Sequence, residues 1–472
     1  MKTATTPPQL PTQFNALKTA HMTSRPADFE TRCVWLDSLE AFLTDFEPQL
    51  IAAMQADFTH RSREDCMSLD LGTSMSQVRY QRRHLKVWMR KRYVVPSMTF
   101  WPARAHIQAQ PRGVVGVMAP WNFPVYLAIA PLAAALAAGN RVMIKPSELA
   151  PQTSKVLAEG LAQYLDSEVV QVVLGGADVA AEFSALPFDH LFFTGSTTVG
   201  RKVAQAAASN LTPVTLELGG KSPAVVMPSA DLDRAARRII WGKTTNAGQI
   251  CVAPDYALVP RDQLEAFVTL AEGYLHKFYP EGAASKDYCG VISERHLARM
   301  NDLLTEVEAR NVKIIQLSEE NIPDDQRKCA PALVIDPPLD CAMMQDEIFG
   351  PILPIIPYDT VEQALSFVNE RDHPLALYVF AQDKDDQDLW LERSISGGVT
   401  VNDTVIHVAV DSLPFGGVGP SGYGAYHSKA GFETFSHMKP VLRQAKWNAM
   451  SLTEPPMTGL KKRLMRLARK LM

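Results

Sequence analysis

The spacing of apolar and polar residues divides the chain into a helical part and two parts in which strands and helices alternate. Residues 28–92 mix charged and apolar positions at helical spacing, which predicts helices. From Gly113, short β-branched runs alternate with alanine-rich stretches. Strands are predicted over 114–118, 141–145, 169–174, 190–193 and 214–218. Helices are predicted over 126–138, 152–164, 179–186 and 199–209. This alternation predicts βαβ units and a doubly wound parallel sheet of the nucleotide-binding type.

A second α/β part begins near Lys221 and runs to about residue 400. Its predicted strands are 224–227, 331–335, 352–357 and 376–380, and its predicted helices are 231–246, 262–278 and 294–310. The extended, aromatic segment 93–110 predicts a projecting arm. Because no repeat or low-complexity linker separates these parts, we expect them to pack closely.

Length and composition indicate an ordinary globular protein. The 472 residues suggest two or three domains at about 100–200 residues each. A net charge of −4 gives no reason to expect nucleic-acid binding. The six cysteines show no CxxC pair and no spacing that suits zinc, so no metal site is expected. With no signal peptide recognised, these free thiols suggest the cytoplasm.

Two segments differ in composition from the rest of the chain. The uncharged run 123–138 has sixteen residues and two prolines, whereas a spanning helix needs about 20 apolar residues. A buried helix is therefore predicted there. The Thr/Pro-rich residues 1–11 predict a short disordered lead-in.

Cys251 ends the sequence Gly-Gln-Ile-Cys, after a predicted helix. A cysteine nucleophile needs an exposed or polar setting in which its thiolate can form. Taken alone, this motif leaves open a buried, unreactive cysteine.

Glu217 lies at the end of an apolar strand, directly before Gly219 and Gly220. Strand ends in such folds open onto the ligand crevice. Partial desolvation there would raise the pKa of the carboxyl group towards a value useful in a general base. The alternative is a structural ion pair between Glu217 and Lys221.

Asn122 lies between Pro120 and Pro124, after the first strand of the predicted sheet. The prolines restrict this loop and could hold the Asn122 amide in one orientation. A fixed N–H donor stabilises a developing oxyanion by about 3 kcal/mol. The alternative is a local Asx-turn.

Three further motifs indicate binding of phosphate and ribose. The loop from Phe193 to Gly200 ends a strand and opens a helix, so its free backbone N–H groups could hold a diphosphate. Lys145 and Glu148 end the second strand and could bind ribose hydroxyl groups. The segment 347–351, Glu-Ile-Phe-Gly-Pro, could supply a carboxylate and an aromatic wall. Taken alone, each of these three motifs could equally serve only to support the fold.

Together, these six motifs in this order resemble the aldehyde dehydrogenase superfamily over residues 28–440. The resemblance implies that Cys251 attacks the aldehyde, that Asn122 and the Cys251 N–H bind the oxyanion, and that Glu217 activates water to hydrolyse a thioester. The cofactor-binding residues that it implies are Lys145, Glu148, Gly195, Ser196, Glu347, Phe349 and Trp121.

The same resemblance assigns domains to an α/β fold. It implies a doubly wound NAD(P)-binding domain over 12–92 and 111–218, and an α/β catalytic domain over 219–401. A small β oligomerisation arm, 93–110, and a crossing segment, 402–445, would join two subunits into a homodimer.

The segments 188–193, 396–403 and 413–419 resemble the class 3 branch, and within it bacterial coniferyl aldehyde dehydrogenases. This similarity implies aromatic or medium-to-long aliphatic aldehydes as substrates. Because Glu148 would repel a 2′-phosphate, NAD is favoured, with NADP also possible. The aromatic wall of the substrate site is assigned to Trp121, Tyr126, His407 and Phe415.

The tail 446–472 departs from this pattern, because its end is basic and amphipathic. Leucines at 460, 464, 467 and 471 fall on one helical face, and no acid accompanies the basic residues after 460. Such a helix predicts weak peripheral membrane contact through 460–472. A frayed or self-docking terminal helix is the alternative.

Three other functions remain to be separated from aldehyde oxidation. An acylating, CoA-dependent enzyme on the same scaffold would usually lack the glutamate at 217. A non-catalytic relict would not require Asn122, Glu217 and Cys251 together. A Cys–His hydrolase would need a histidine beside Cys251, for which His190, His373, His407 and His427 are candidates.

Overall fold

The structure is a computed structural model and describes residues 10–97 and 100–471. The α-helices of this part are α1 Leu10–Thr23, α2 Phe29–Asp45, α3 Glu47–Asp57, α4 Arg63–Asp65, α5 Thr73–Trp88, α6 Tyr126–Ala137, α7 Pro151–Tyr164, α8 Ala177–Ser184, α9 Thr197–Ala208, α10 Leu232–Thr244, α11 Leu264–Phe278, α12 Glu294–Glu308, α13 Ala342–Gln345, α14 Val361–Asn369, α15 Lys384–Arg393, α16 Ser428–Thr434 and α17 Gly459–Leu471. A π-helix, Cys66–Gly72, joins α4 to α5.

The strands are β1 Arg92–Val94, β2 Arg104–Pro111, β3 Val114–Met118, β4 Arg141–Lys145, β5 Val170–Val172, β6 His190–Gly195, β7 Val214–Leu218, β8 Pro223–Val226, β9 Tyr256–Pro260, β10 Lys313–Gln316, β11 Ala332–Ile335, β12 Ile352–Tyr358, β13 Ala376–Phe380, β14 Gly398–Val401, β15 Gly422–Tyr423 and β16 Ser436–Arg443.

The first sheet has six strands in the order β15-β7-β6-β3-β4-β5, and all of its pairs except β15–β7 are parallel. The predicted α/β class with a parallel sheet is therefore confirmed. Strands β3, β4 and β7 have the predicted bounds, while β5 is shorter than predicted and β6 extends to Gly195. The apolar run predicted to be a buried helix forms α6, every residue of which is buried.

This sheet determines where the motif loops meet. In a parallel sheet the carboxyl ends of the strands lie at one edge, so the segments after them face the same crevice. Pro120 lies just after β3, Lys145 ends β4, Ser196 follows β6, and Glu217 lies near the end of β7. Backbone pairing of Ala119 N–H with the Lys145 carbonyl, at 3.0 Å, keeps two of these loops together.

The second sheet has seven strands in the order β10-β11-β12-β9-β8-β13-β14, in which only the β10–β11 pair is antiparallel. Sequence patterns missed β9, β10, β14, α14 and α15. The helix predicted over 231–246 is too long, since α10 ends at Thr244 and a turn with positive φ follows at Asn246 and Ala247.

The predicted arm is a three-stranded antiparallel sheet in the order β1-β2-β16. Strand β16 pairs with β2 along its whole length, from Ser436–Pro111 to Arg443–Arg104. The arm thus joins a segment before the first βαβ unit to a segment near the end of the chain.

Both ends of the described chain are helical. Because α1 begins at Leu10, the disorder prediction is wrong for Leu10 and Pro11, and residues 1–9 lie outside the described part. The basic tail forms α17. Among the described residues, no helix is both long and apolar enough to cross a membrane.

Candidate active site

A cavity of about 260 Å³ lies where the two parallel sheets meet at the carboxyl ends of β3, β6 and β7. It brings together all of the predicted catalytic and cofactor-binding residues except Lys145 and Glu148. Its lining consists of Pro120, Trp121, Asn122, Thr194, Gly195, Ser196, Glu217, Gly219, Cys251, His296, Arg299, Glu347 and Phe349. Residues from distant parts of the sequence therefore share one small space.

Cys251 is half-buried and lines this cavity, whereas the other five cysteines are buried. The alternative of a cysteine sealed in the core is therefore wrong for position 251. Burial raises the pKa of the Cys251 thiol to about 12, and the nearby carboxyl groups of Glu347 and Glu217 act in the same direction. Without a bound positive charge, the thiol form is favoured.

Glu217 is only 2% exposed, and neither of its carboxylate oxygens has a hydrogen-bond partner among the described residues. Burial raises the pKa of this carboxyl group well above its ordinary value. The alternative ion pair with Lys221 is wrong, because the Lys221 ammonium instead binds Asp255 and the carbonyls of Met343 and Asp346. Burial without a partner therefore favours the protonated form of this carboxyl group.

Asn122 is buried after β3, and its Nδ2 donates a hydrogen bond to the backbone carbonyl of Gln249 at 3.2 Å. The amide therefore engages the loop that carries Cys251, rather than only its own turn. An amide nitrogen has two N–H groups, so the second remains for a group in the cavity.

The glycine loop forms the start of α9. Ser196 is the N-cap of this twelve-residue helix, and its Oγ accepts a bond from the Val199 N–H at 3.4 Å. A Cβ at Gly195 would lie 2.6 Å from the Phe193 ring, so no larger residue fits without a shift. The first N–H groups of an α-helix lack partners within the helix, which makes this end suited to phosphate.

Lys145 and Glu148 lie beside the cavity rather than in its wall. Lys145 Nζ binds Glu148 Oε2 at 3.0 Å and the Pro146 carbonyl at 3.2 Å. The lysine is buried, while Glu148 is exposed. The pair therefore forms a charged rim at the end of β4.

Glu347 and Phe349 line the cavity from the segment that precedes β12. Burial raises the pKa of Glu347 to about 8, Asp255 adds to the rise, and a hydrogen bond from the Gly220 backbone opposes it. The Phe349 ring packs edge-on against Trp121, with centroids 5.3 Å apart. The two aromatic residues thus contact each other across the cavity mouth.

His296 and Arg299 were missed by sequence reasoning, although both line the cavity from α12. Arg299 donates to the backbone carbonyls of Glu347 and Ile348 at 2.7 and 2.6 Å, which fixes the segment before β12. His296 packs edge-on against Trp121 at 5.1 Å. Their i, i+3 spacing puts them on one helix face, but the sequence does not show what that face contacts.

The predicted aromatic wall is divided between two places. Trp121 lines the cavity, whereas Tyr126, His407 and Phe415 gather around His427. Tyr126 Oη lies 2.9 Å from His427 Nε2, and Phe415 stacks on the His427 ring at 5.5 Å. Tyr126, His407 and Phe415 therefore do not line this cavity, and the assignment of all four residues to the substrate site stays a prediction.

The histidines proposed for a hydrolase are engaged elsewhere. His190 Nε2 lies 3.0 Å from Thr215 Oγ1, and His407 Nδ1 lies 3.0 Å from Thr400 Oγ1. His427 contacts Tyr126, and His373 lines a neighbouring cleft. None of these four lines the cavity with Cys251, and the described residues contain no group of His, Cys, Asp and Glu that could hold a metal ion.

The residues present fit a dinucleotide cofactor. The carboxylate oxygens of Glu217 and the hydroxyl of Thr194 are buried without partners among the described residues. A larger cleft of about 930 Å³ continues from the cavity along Ser196, Gly219 and Arg299, and basic side chains such as that of Arg295 line it. Open N–H groups at α9 and basic side chains in the cleft suit a diphosphate.

Comparison with known proteins identifies the family. The model of the aldehyde dehydrogenase family matches residues 4–441. The chain is 45% identical over 440 residues to the coniferyl aldehyde dehydrogenase of Pseudomonas sp. strain HR199, covering 93% of this chain and 91% of that protein. It is 40% identical over 447 residues to aldehyde dehydrogenase family 3 member A2 of Pongo abelii, covering 94% and 90%.

A solved structure agrees with these relatives. The substrate-bound state of Staphylococcus aureus AldH matches with a TM-score of 0.92 and 34% identity, covering 98% of this chain and 99% of that one. The chain therefore belongs to the aldehyde dehydrogenase family and is an NAD(P)-dependent oxidoreductase that acts on aldehydes. The resemblance to class 3 and coniferyl aldehyde dehydrogenases is confirmed.

Proposed function

We propose that Cys251 is the nucleophile, Asn122 an oxyanion donor and Glu217 the base that activates water. The observation that supports this most is that all three line one cavity with the predicted cofactor residues Ser196 and Glu347. Covalent catalysis of this kind divides one difficult oxidation into two easier steps.

In the first step, the Cys251 thiol loses its proton to solvent, the thiolate attacks the aldehyde carbon, and the carbonyl oxygen becomes an oxyanion. The second N–H of Asn122 Nδ2 and the Cys251 backbone N–H would stabilise that charge, at about 3 kcal/mol for one such donor. A bound nicotinamide supplies the acceptor for the hydride that leaves the carbon. Cys251 then carries the acyl group as a thioester.

In the second step, Glu217 takes a proton from water as the water attacks the thioester, and the carboxylic acid is released. The buried, unpartnered carboxylate of Glu217 supports water as the acyl acceptor. This observation favours hydrolysis over the CoA-dependent alternative. Cys251→Ala, tested for loss of oxidation with retained cofactor binding, separates catalysis from the relict alternative.

Among the cofactor contacts, we propose the diphosphate at Gly195 and Ser196, the nicotinamide ribose at Glu347, and Phe349 and Trp121 beside the ring. Lys145 and Glu148 would bind the adenosine ribose from the rim of the cavity. Since Glu148 is exposed and carries a negative charge, we propose a preference for NAD over NADP.

The proposed substrates are aromatic aldehydes such as coniferaldehyde, or medium-to-long aliphatic aldehydes. The name of the Pseudomonas relative supports the first and similarity to class 3 supports the second. Hexanal, decanal, benzaldehyde and coniferaldehyde, each assayed by NADH appearance, test this proposal. Highest kcat/KM for coniferaldehyde is the expected result, and no activity with any of the four would contradict it.

We propose a homodimer joined through the arm and the segment after residue 402. Large apolar side chains of this region are exposed in the single chain, including Trp101 at 71% and Leu442 at 54%. Light scattering after size exclusion should give the mass of two chains. A monomer at micromolar concentration would contradict the proposal.

We propose a reducing, cytoplasmic location, which the six free cysteines support.

Helix α17 is proposed to bind anionic membranes weakly. Leu460 is 69% exposed, and Leu464 is also exposed on this basic helix. Sedimentation with vesicles rich in phosphatidylserine should retain more full-length protein than a 1–458 variant. Equal sedimentation of the two would contradict membrane contact.

A further inference from the structure

The loop before Cys251 contains a turn that ordinary side chains adopt with difficulty. Asn246, Ala247 and Gly248 have φ values of 50°, 52° and 71°, three successive residues in the left-handed region. For an L-residue other than glycine this conformation costs about 1–2 kcal/mol. Surrounding contacts must therefore hold the turn in place.

The Gln249 side chain supplies such contacts on one side. Its Nε2 donates to the carbonyls of Asn246 and Gly290 at 2.9 and 3.0 Å, and its Oε1 accepts the Ile292 N–H at 3.0 Å. These bonds join the turn to the segment that precedes α12. Gln249 is 1% exposed, so loss of a partner would leave a buried polar group unpaired.

The Asn246 side chain connects the same turn to the proposed oxyanion donor. Its Nδ2 donates to the carbonyls of Asn122 and Gln249 at 3.1 and 3.2 Å, while its Oδ1 lies 3.3 Å from the Cys289 thiol. Asn122 Nδ2 returns a bond to the Gln249 carbonyl. Two loops from different sheets are thus bonded to each other in both directions.

The other side of the cysteine is also fixed. Tyr378 Oη, from β13, donates to the carbonyl of Val252. A Cβ on Gly248 would overlap with the Gly350 carbonyl, so the turn also packs tightly against the segment after Phe349. The backbone around Cys251 is therefore held from both sides.

We propose that Gln249 and Asn246 are positioning residues that fix the Asn122 amide and the Cys251 backbone N–H as one rigid oxyanion site. Cys289 supports this arrangement through Asn246. The inference deepens the proposed function and depends on it. The side-chain amides of Gln249 and Asn246 do not line the cavity. According to the inference, they nevertheless control the rate at which the thioester forms.

Three variants separate this role from simple support of the fold. Gln249→Glu removes two donors at nearly constant shape. Asn246→Gly keeps the left-handed φ without strain but removes the amide. Cys289→Ser retains a donor to Asn246, whereas Cys289→Ala does not. Gln387→Glu is the matched control, since Gln387 Nε2 also donates to a backbone carbonyl, at 2.9 Å, but from α15.

The rate constant of the pre-steady-state NADH burst should fall about 10-fold to 100-fold in Gln249→Glu and Asn246→Gly, with the Kd for NAD unchanged. Cys289→Ser should behave like the unchanged protein, Cys289→Ala should be slower, and Gln387→Glu should show no change.

Unchanged burst rates in the first two variants, while Asn122→Ala is slowed, would overturn the inference. A parallel loss of NAD affinity, burst rate and Tm would also overturn it, by indicating a general structural role. The unchanged protein serves as the reference for the proposed function. If it formed no NADH with any of the four aldehydes, that function would fail first, and the inference with it.

Discussion

The carboxylate of Glu347 lies directly against Gly219, so that a Cβ atom at position 219 would overlap with it. Gly219 follows β7 and Glu347 precedes β12, and the contact therefore joins the two sheets at the cavity that contains Cys251. Only a residue without a side chain lets the carboxylate occupy this position.

Gly219→Ala should displace Glu347 and raise the Kd for NAD by about tenfold or more, since a hydrogen bond to a charged group contributes about 1.5–3 kcal/mol. Titration of protein fluorescence with NAD measures the effect. Gly273→Ala is the control, because a Cβ at that position of α11 meets nothing within 4 Å. Equal affinity in both variants would show that Glu347 does not hold the cofactor.

Glu148→Gln should shift cofactor preference towards NADP. Two like charges about 4 Å apart repel by about 1 kcal/mol in water and more near a protein surface, so a change of about tenfold in the ratio of kcat/KM values is expected. The measurement is initial rates with both cofactors. Glu159→Gln is the control, since Glu159 is also exposed and pairs with a lysine, Lys155, at 3.9 Å. A preference unaltered by Glu148→Gln would remove that residue from the ribose site.

Alkylation of Cys251 by iodoacetamide should be slow at neutral pH in the cofactor-free protein. Burial raises the pKa of this thiol to about 12. At any pH below that value, raising the pH by one unit should increase the thiolate fraction about tenfold. NAD⁺ should accelerate alkylation at pH 7, because a positive ring near the sulfur favours the thiolate. Mass spectrometry of the Cys251 peptide gives the rate. A fast rate that does not depend on pH would contradict the description of this environment.

Thioester hydrolysis should depend on the ionisation of Glu217. Its pKa is raised by burial, so the carboxyl group holds its proton at low pH and gains base activity as pH rises through that pKa. Steady-state kcat should therefore increase with pH, and Glu217→Gln should lose this increase while keeping the NADH burst. A pH profile of kcat that is the same in both proteins would exclude Glu217 as the base.

Local sequence patterns predicted the elements whose signal lies within one segment. Strands β3, β4 and β7 are runs of apolar and β-branched residues bounded by turn signals, and their predicted bounds are the observed ones. Strands β9 and β14 were missed because each run contains or adjoins Pro or Gly, which indicate turns. Helix α10 stops before its apolar pattern does, since Asn246 turns into the left-handed region.

The residues of the candidate site also divide into those that the sequence predicted and those that it did not. Motif order predicted that Asn122, Glu217 and Cys251 belong together, and the cavity contains all three. His296 and Arg299 could not be predicted, because only the packing of α12 against the Glu347 segment brings them to the cavity. Tyr126 and Phe415 were assigned to the substrate site on residue type alone, and the structure places both outside this cavity, around His427.

The central claim is that the sulfur of Cys251 carries the acyl group. The Glu217→Gln protein, mixed with NAD and coniferaldehyde and quenched in acid, can be digested and analysed by mass spectrometry. We expect the peptide that contains Cys251 to gain the mass of the acyl group, in an amount that matches the NADH burst. A burst of NADH with the Cys251 peptide left unmodified would contradict the account.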